Sequence, residues 1–220
     1  MNSIDYRLTV MFAPSQTGAG YQGLPQGDYN SSDYPITTTS ASFAKPYYQA
    51  DYPVLLFSVP EIKLLQAEAI MRYGVDNYNA ARDMYQEAVK ESFNFYGLGE
   101  DYYNPVLFGG GAYEFPSEGS EPEEFIKSIS YQRWIALAHF QSLEAFFERN
   151  RTQYPPKSPV PYEEDGEYEP GDFTVSVNSV IGDTLPKRLP IPESEINRNK
   201  NAKNIEAKPV YQKVWWDKKQ

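Results

Sequence analysis

The chain has 220 residues, among them 18 prolines, 14 glycines, 19 tyrosines and no cysteine. Its 30 acidic and 20 basic side chains leave a formal net charge of −10, a field that repels polyanions and argues against nucleic acid as a partner. Disulfides and thiolate metal sites are excluded, and an aromatic share of 15% argues against a wholly disordered chain, which would lack the apolar surface needed to offset ordering entropy.

The length suits one large domain, or a domain plus satellites, with a real core. No apolar run reaches the roughly 18 residues of a membrane span. The opening Met1-Asn2-Ser3-Ile4-Asp5 has neither the basic nor the apolar region of a secretory signal. Either the protein is cytoplasmic or its export signal lies on an upstream segment. Residues 1–58 read as irregular, punctuated by Gly18, Gly20, Gly23, Pro25, Gly27 and Pro35, with a Ser/Thr cluster after Ile36. So long a structureless stretch is unusual unless it is functional or packs on something else.

Residues 59–97 predict a helical hairpin. The first helix starts near Pro60, with Glu61 at the positive end of its dipole, and Gly74 ends it. Ile62, Leu65, Ala69 and Tyr73 share one face at helical spacing. The second helix runs from about Asn77 to Phe95, with a stripe of Tyr78, Ala81, Tyr85, Ala88, Ser92 and Tyr96, and Gly97 and Gly99 stop it. Leu65, Ala69, Ala81, Tyr85 and Ala88 fall at tetratricopeptide positions and are expected to pack in the core, whereas Glu68 and Arg72 depart from that pattern. One such unit cannot bury its outer face alone. That face is expected to be apolar, or covered by a second copy of the chain in a homodimer.

Residues 97–119, with Gly109-Gly110-Gly111, read as a long loop. A long helix is predicted over 120–151, capped by Ser120 and Glu123, carrying Phe125, Ile126, Ile129, Trp134, Leu137, Phe140, Leu143 and Phe147, and breaking near Ser130. Residues 152–220 read as an extended, proline-rich tail. Within it Phe173–Val177 alternates like a strand, and Glu193–Asn199 suits one helical turn. The whole is mainly α with little β: a single domain of one tetratricopeptide-like hairpin, one long helix and a large loop-rich lobe.

Few residues invite chemistry. His139, the sole histidine, is expected mid-helix as a packed or surface side chain, and no nucleophile-elbow pattern accompanies it. Glu163-Glu164-Asp165-Gly166-Glu167 lacks the oxygen spacing of a calcium loop and reads as a solvated turn. Lys187 and Arg188 are expected to pair with Glu193 or Glu195. No catalytic group, metal site or cofactor is assigned.

Three segments carry a resemblance. They are Val54-Leu55-Leu56-Phe57 with Glu61-Ile62-Lys63-Leu64-Leu65-Gln66-Ala67-Glu68-Ala69; Tyr131-Gln132-Arg133-Trp134-Ile135-Ala136-Leu137 leading to Glu144–Pro155; and Leu185-Pro186-Lys187-Arg188-Leu189-Pro190-Ile191-Pro192-Glu193-Ser194-Glu195. In this order and spacing, closed by Val214-Trp215-Trp216-Asp217, they resemble the carboxy-terminal portion of the SusD/RagB family from about residue 50 onward. Asn150 and Ile191 depart from its usual arginine and tyrosine. The resemblance implies that this chain is part of a longer protein, a surface lipoprotein of the Bacteroidota outer membrane, held by a lipid anchor that this sequence does not contain. It implies capture of an oligosaccharide or peptide and its delivery to a SusC-like TonB-dependent transporter, without bond chemistry. Tyr21, Tyr29 and Tyr34, in the glycine-rich loop before the first helix, are the ligand-stacking candidates that it suggests. Two other readings stay open: a helical-repeat adaptor that binds only proteins, and a glycoside hydrolase, for which a carboxylate pair at suitable separation would suffice.

Overall fold

The computed structural model describes residues 5–18, 20–23, 43–48, 50–74, 77–108, 110, 113–160, 166–169, 171–176 and 178–218. Two compact units divide at Pro155 and Pro156. The first carries α1 (Arg7–Met11), β1 (Phe12–Ala13), β2 (Lys45–Pro46), α2 (Val59–Tyr73), α3 (Tyr78–Asn94), α4 (Glu100–Leu107), α5 (Pro122–Leu137) and α6 (Ser142–Thr152). The second carries α7 (Glu193–Arg198) and a 3-10 turn, Lys200–Asn204. The fold is mainly helical, as expected, and the described strands are two residues each, paired antiparallel.

The hairpin forms as predicted. Ser58 caps α2, its hydroxyl accepting from Glu61 N at 3.3 Å, which satisfies one of the free amides of the first turn. Gly74 ends α2 because an added Cβ there would lie 2.6 Å from the Ile70 carbonyl oxygen. In α3, Ala81, Tyr85, Ala88, Val89, Ser92 and Phe93 are buried, much as the stripe predicted. Alanines let the paired helices approach closely. Tyr85 anchors the pair, fully buried, with its hydroxyl donating to the Tyr113 carbonyl at 2.8 Å.

The face of α2 is reversed. Pro60, Glu61, Leu64, Ala67 and Glu68 are buried, whereas Ile62, Leu65 and Tyr73 are 45%, 40% and 84% exposed, and Ala69 is exposed too. The expectation that Leu65 and Ala69 pack in the core is therefore corrected. The apolar residues fall on both sides of α2, and the buried carboxylates Glu61 and Glu68 decide which side turns inward, because their cationic partners lie on α5 and α6. The apolar outer face foreseen for this hairpin is present on α2 alone, through Ile62, Leu65, Ala69 and Tyr73, whereas α3 exposes Asn79, Asp83 and Glu87.

The predicted 97–119 loop contains α4. Gly99 precedes it, Glu100 and Asp101 occupy its first turn, and Tyr103, Val106 and Leu107 are buried. Glu121, not Ser120, stands at the start of α5, and no side-chain cap forms there. Phe125 and Ile129 of α5 complete the core with Tyr85, Phe93, Leu107 and Phe115. Each such side chain contributes about 1.5–3 kcal/mol when fully buried. Beneath them Arg7 is wholly buried, held by Asp5 at 2.7 Å, Ser92 at 2.9 Å and Gln132 at 3.0 Å, with Phe93 stacked 4.4 Å from its guanidinium carbon.

In the second unit, Phe173 forms an isolated bridge with Lys157, and the described residues 173–176 of the expected strand form no ladder, Val177 lying outside the described residues. The backbone amides of Lys187 and Arg188 both donate to the Val210 carbonyl, at 2.7 and 3.1 Å. Arg188 Nε is buried without a hydrogen bond, and Glu195 takes Asn199 as its partner, so the expected pairing of Arg188 with these glutamates does not form. Asp217 is buried beside Lys213 at 3.6 Å, next to an exposed Trp215.

Candidate functional site: aromatic cavities flanking a helix break

The long helix predicted over 120–151 breaks at 138–141, not near Ser130. Ala138 is extended (φ −57°, ψ 141°) and His139 adopts a left-handed φ of 72°. Neither glycine nor proline marks the turn. Gln141 fixes it instead: its buried Nε2 donates to Glu61 Oε2 at 3.0 Å and to the Leu56 carbonyl at 3.3 Å.

That glutamine begins a chain of paired charges. Arg133 lies 3.7 Å from Glu61 and 2.8 Å from Glu148, the latter an ion pair too oblique for a hydrogen bond. Arg151 bridges Glu148 at 2.7 Å and Glu68 at 2.7 Å, and Arg72 adds a contact to Glu68 at 2.7 Å. Three carboxylates meet three guanidiniums, joining α2, α5 and α6. Burial alone would push the Glu68 carboxyl up, but the hydrogen bonds and charges of Arg151 and Arg72 together outweigh it and hold the group below its ordinary value. Burial would likewise lower Arg151, yet Glu68 and Glu148 raise it. The cluster is a charge-matched clamp, and each of its carboxylates faces an arginine.

The break places aromatic side chains on both of its flanks. His139 stands edge-on to Phe12 at 5.0 Å and tilted against Tyr48 at 5.2 Å. The short ladder Phe12↔Pro46 brings Tyr48 there. Burial lowers the His139 pKa, and a hydrogen bond with the Tyr47 backbone opposes that. Phe140 packs against Tyr52 at 5.5 Å and Phe95 at 5.2 Å.

Two cavities open beside this turn. One, of about 390 Å³, is lined by Phe12, Tyr21, Trp134 and Ala138, with Leu8 and Met11 behind them. The other, of about 370 Å³, is lined by Phe57, Phe95, Tyr96 and Phe140, with Glu91 and Asn94 among its polar residues. Both are largely apolar with a few polar groups, as small-molecule sites tend to be.

Comparison with known proteins fits this architecture. A SusD-like family model, described as "Starch-binding associating with outer membrane", matches residues 1–170. The chain belongs to the SusD-like family. Solved structures share its fold: a SusD homologue of Bacteroides thetaiotaomicron (TM-score 0.70, 23% identity, 98% of this chain and 49% of that one), one of Bacteroides uniformis (0.67, 23%, 98% and 48%) and one of Bacteroides fragilis (0.66, 22%, 99% and 49%). The SusD-like chain thus spans about half the length of these relatives. Among curated proteins none matches significantly.

Of the three tyrosines singled out in the sequence, Tyr21 lies in the wall of the first cavity, half-buried. Tyr29 and Tyr34 fall outside the described residues, as do Glu163, Glu164 and Asp165. His139 is not mid-helix but the pivot of the break. Trp134, Phe95 and Phe140 fall within predicted helices and read there as core, and Phe57 belongs to the apolar run before the first helix, so none of the four stands out in the sequence as a site residue. The surroundings of Trp134 and Phe140 depend on where the helix breaks. Among the described residues no group of three metal-ligating side chains forms, and no helix is long and apolar enough to cross a membrane.

Proposed function

We propose that the SusD-like chain is the nutrient-binding part of an outer-membrane uptake protein, capturing an oligosaccharide on the aromatic walls beside the helix break and passing it to a SusC-like TonB-dependent transporter. The observation that carries the reading is the cavity formed by Tyr21, Phe12 and Trp134 in a chain of this family. Flat aromatic faces offer apolar area at little entropic cost, and they stack on the C–H faces of a pyranose. The family's description, starch-binding and associated with the outer membrane, supports both ligand and location. Capture without catalysis fits the family's description as starch-binding. The test is a saccharide array probed with the wild type and with Tyr21→Ala and Trp134→Ala variants. Selective binding that both variants weaken supports the reading. Binding that ignores both substitutions would remove these walls from the site.

A second reading, protein contact without sugar, is favoured by the apolar row Val54, Leu56 and Phe57, which are 89%, 80% and 75% exposed. A second copy of the chain would cover that row. A concentration-dependent dimer that Leu56→Ser dissolves is its signature.

A further inference from the structure

The two cavities differ in charge. In the wall of the second, Glu91 is the only charged residue. Its carboxylate takes part in no ion pair or hydrogen bond among the described residues. The neighbouring cations are committed elsewhere. Lys90 lies 6.0 Å from the Tyr103 ring, and Lys63 binds Glu87. Arg7, behind Ser92 of the wall, is neutralised by Asp5. Around Glu91 stand Phe57, Phe95, Tyr96 and Phe140. The Tyr96 hydroxyl is pushed up to about 12 by burial, against the opposing charge of Arg7, so it stays a neutral phenol. Phe57 and Phe95 remain 75% and 47% exposed, and their faces are open to a ligand.

A free carboxylate among aromatic rings selects for a cation. The negative ring faces attract an ammonium within about 6 Å, and the carboxylate adds a charge-assisted hydrogen bond about twice as strong as a neutral one. A neutral sugar keeps the stacking and its hydroxyl hydrogen bonds but lacks the attraction between an ammonium and the carboxylate. Extending the glycan-capture reading, and resting on it, we infer that this cavity is a subsite for a hexosamine unit with a free amino group. A pyranose ring would stack on Phe57 or Phe95, its ammonium would meet Glu91, and the Asn94 amide at the wall would meet a ring hydroxyl. A sugar is favoured over a basic peptide side chain because the wall mixes open ring faces with the polar groups of Asn94, Ser58 and Ser92, which match a hydroxylated ring better than an aliphatic stem.

The experiment titrates the whole chain, by calorimetry at pH 6, with three oligosaccharides of equal length and linkage that differ only at C2: β-1,4-linked glucosamine, N-acetylglucosamine and glucose. A short lysine-containing peptide is the fourth probe. The amine form is expected to bind about tenfold more tightly than the other two sugars. Glu91→Gln should erase that preference, weakening the amine form far more than the neutral sugars. Because this substitution alters the net charge by a single unit, its effect separates a local contact from general attraction to an acidic chain. Circular dichroism of the variant confirms its fold. Equal binding of all three sugars, a preference that survives Glu91→Gln, tighter binding of the peptide, or no binding of any probe would each overturn the proposal. Binding of the neutral sugars, abolished by Trp134→Ala, would uphold glycan capture even then.

Discussion

Replacing Glu68 by glutamine removes one charge from the clamp and keeps its shape. The carboxylate is 5% exposed and serves two arginines, Arg151 at 2.7 Å and Arg72 at 2.7 Å. Breaking a fully buried pair costs about 3–5 kcal/mol. Here the two guanidiniums are 36% and 37% exposed and regain water when the charge is lost, which reduces the loss to about 2 kcal/mol. For a chain of this size that lowers Tm by about 4–8 °C. The pH dependence carries the sharper test. The folded-state pKa of Glu68 is depressed below its ordinary 4.5, so its stabilisation is complete above that value and is lost as pH falls through the folded value. Thermal unfolding of wild type and Glu68→Gln, followed by circular dichroism from neutral to strongly acidic pH, should show two melting curves that converge in acid. An unchanged Tm at neutral pH would refute the clamp's contribution. A gap that persists undiminished well below the carboxylate range would refute its electrostatic origin.

Other consequences are equally direct. Tyr85→Phe leaves the Tyr113 carbonyl without its 2.8 Å donor and should cost about 1–2 kcal/mol in urea unfolding. At His139 (φ 72°), alanine keeps the backbone strain and loses both ring contacts, whereas glycine relieves about 1 kcal/mol of strain, so melting temperatures should rank wild type, then glycine, then alanine. His139 is the sole histidine and its pKa is lowered by burial, so its neutral form is favoured by folding. Stability should fall as pH drops through its ordinary value of 6.5, and His139→Gln should flatten that slope in pH-dependent melting. Tyr21→Ala should weaken saccharide binding by about 1 kcal/mol with little change in Tm, measured by calorimetry on a glycan identified from the array.

The hairpin was legible because local chemistry and tertiary packing agree there. Ser58 and Pro60 start α2, Gly74 stops it, and the alanines of α3 mark a close crossing. The ordered motifs around residues 54–69, 131–155 and 185–195 were enough to place the chain in its family, since each is a run of adjacent residues. Composition likewise ruled out disulfide and thiolate chemistry outright. The rest needed the folded molecule. Periodicity placed Ile62, Leu65 and Ala69 inward, yet α2 turns by the partners of Glu61 and Glu68, which arrive from about 80 residues away in the chain. A helix of continuous propensity breaks at Ala138 because Gln141 is held by Glu61 and Leu56, a bond that no local pattern encodes. That break opens the cavities of Trp134 and Phe140. Sequence fixes the elements wherever the signal lies within a few residues; the inward face of a helix, the bend in another and the cavities beside it are set by long-range charge pairing, which only the tertiary structure brings together.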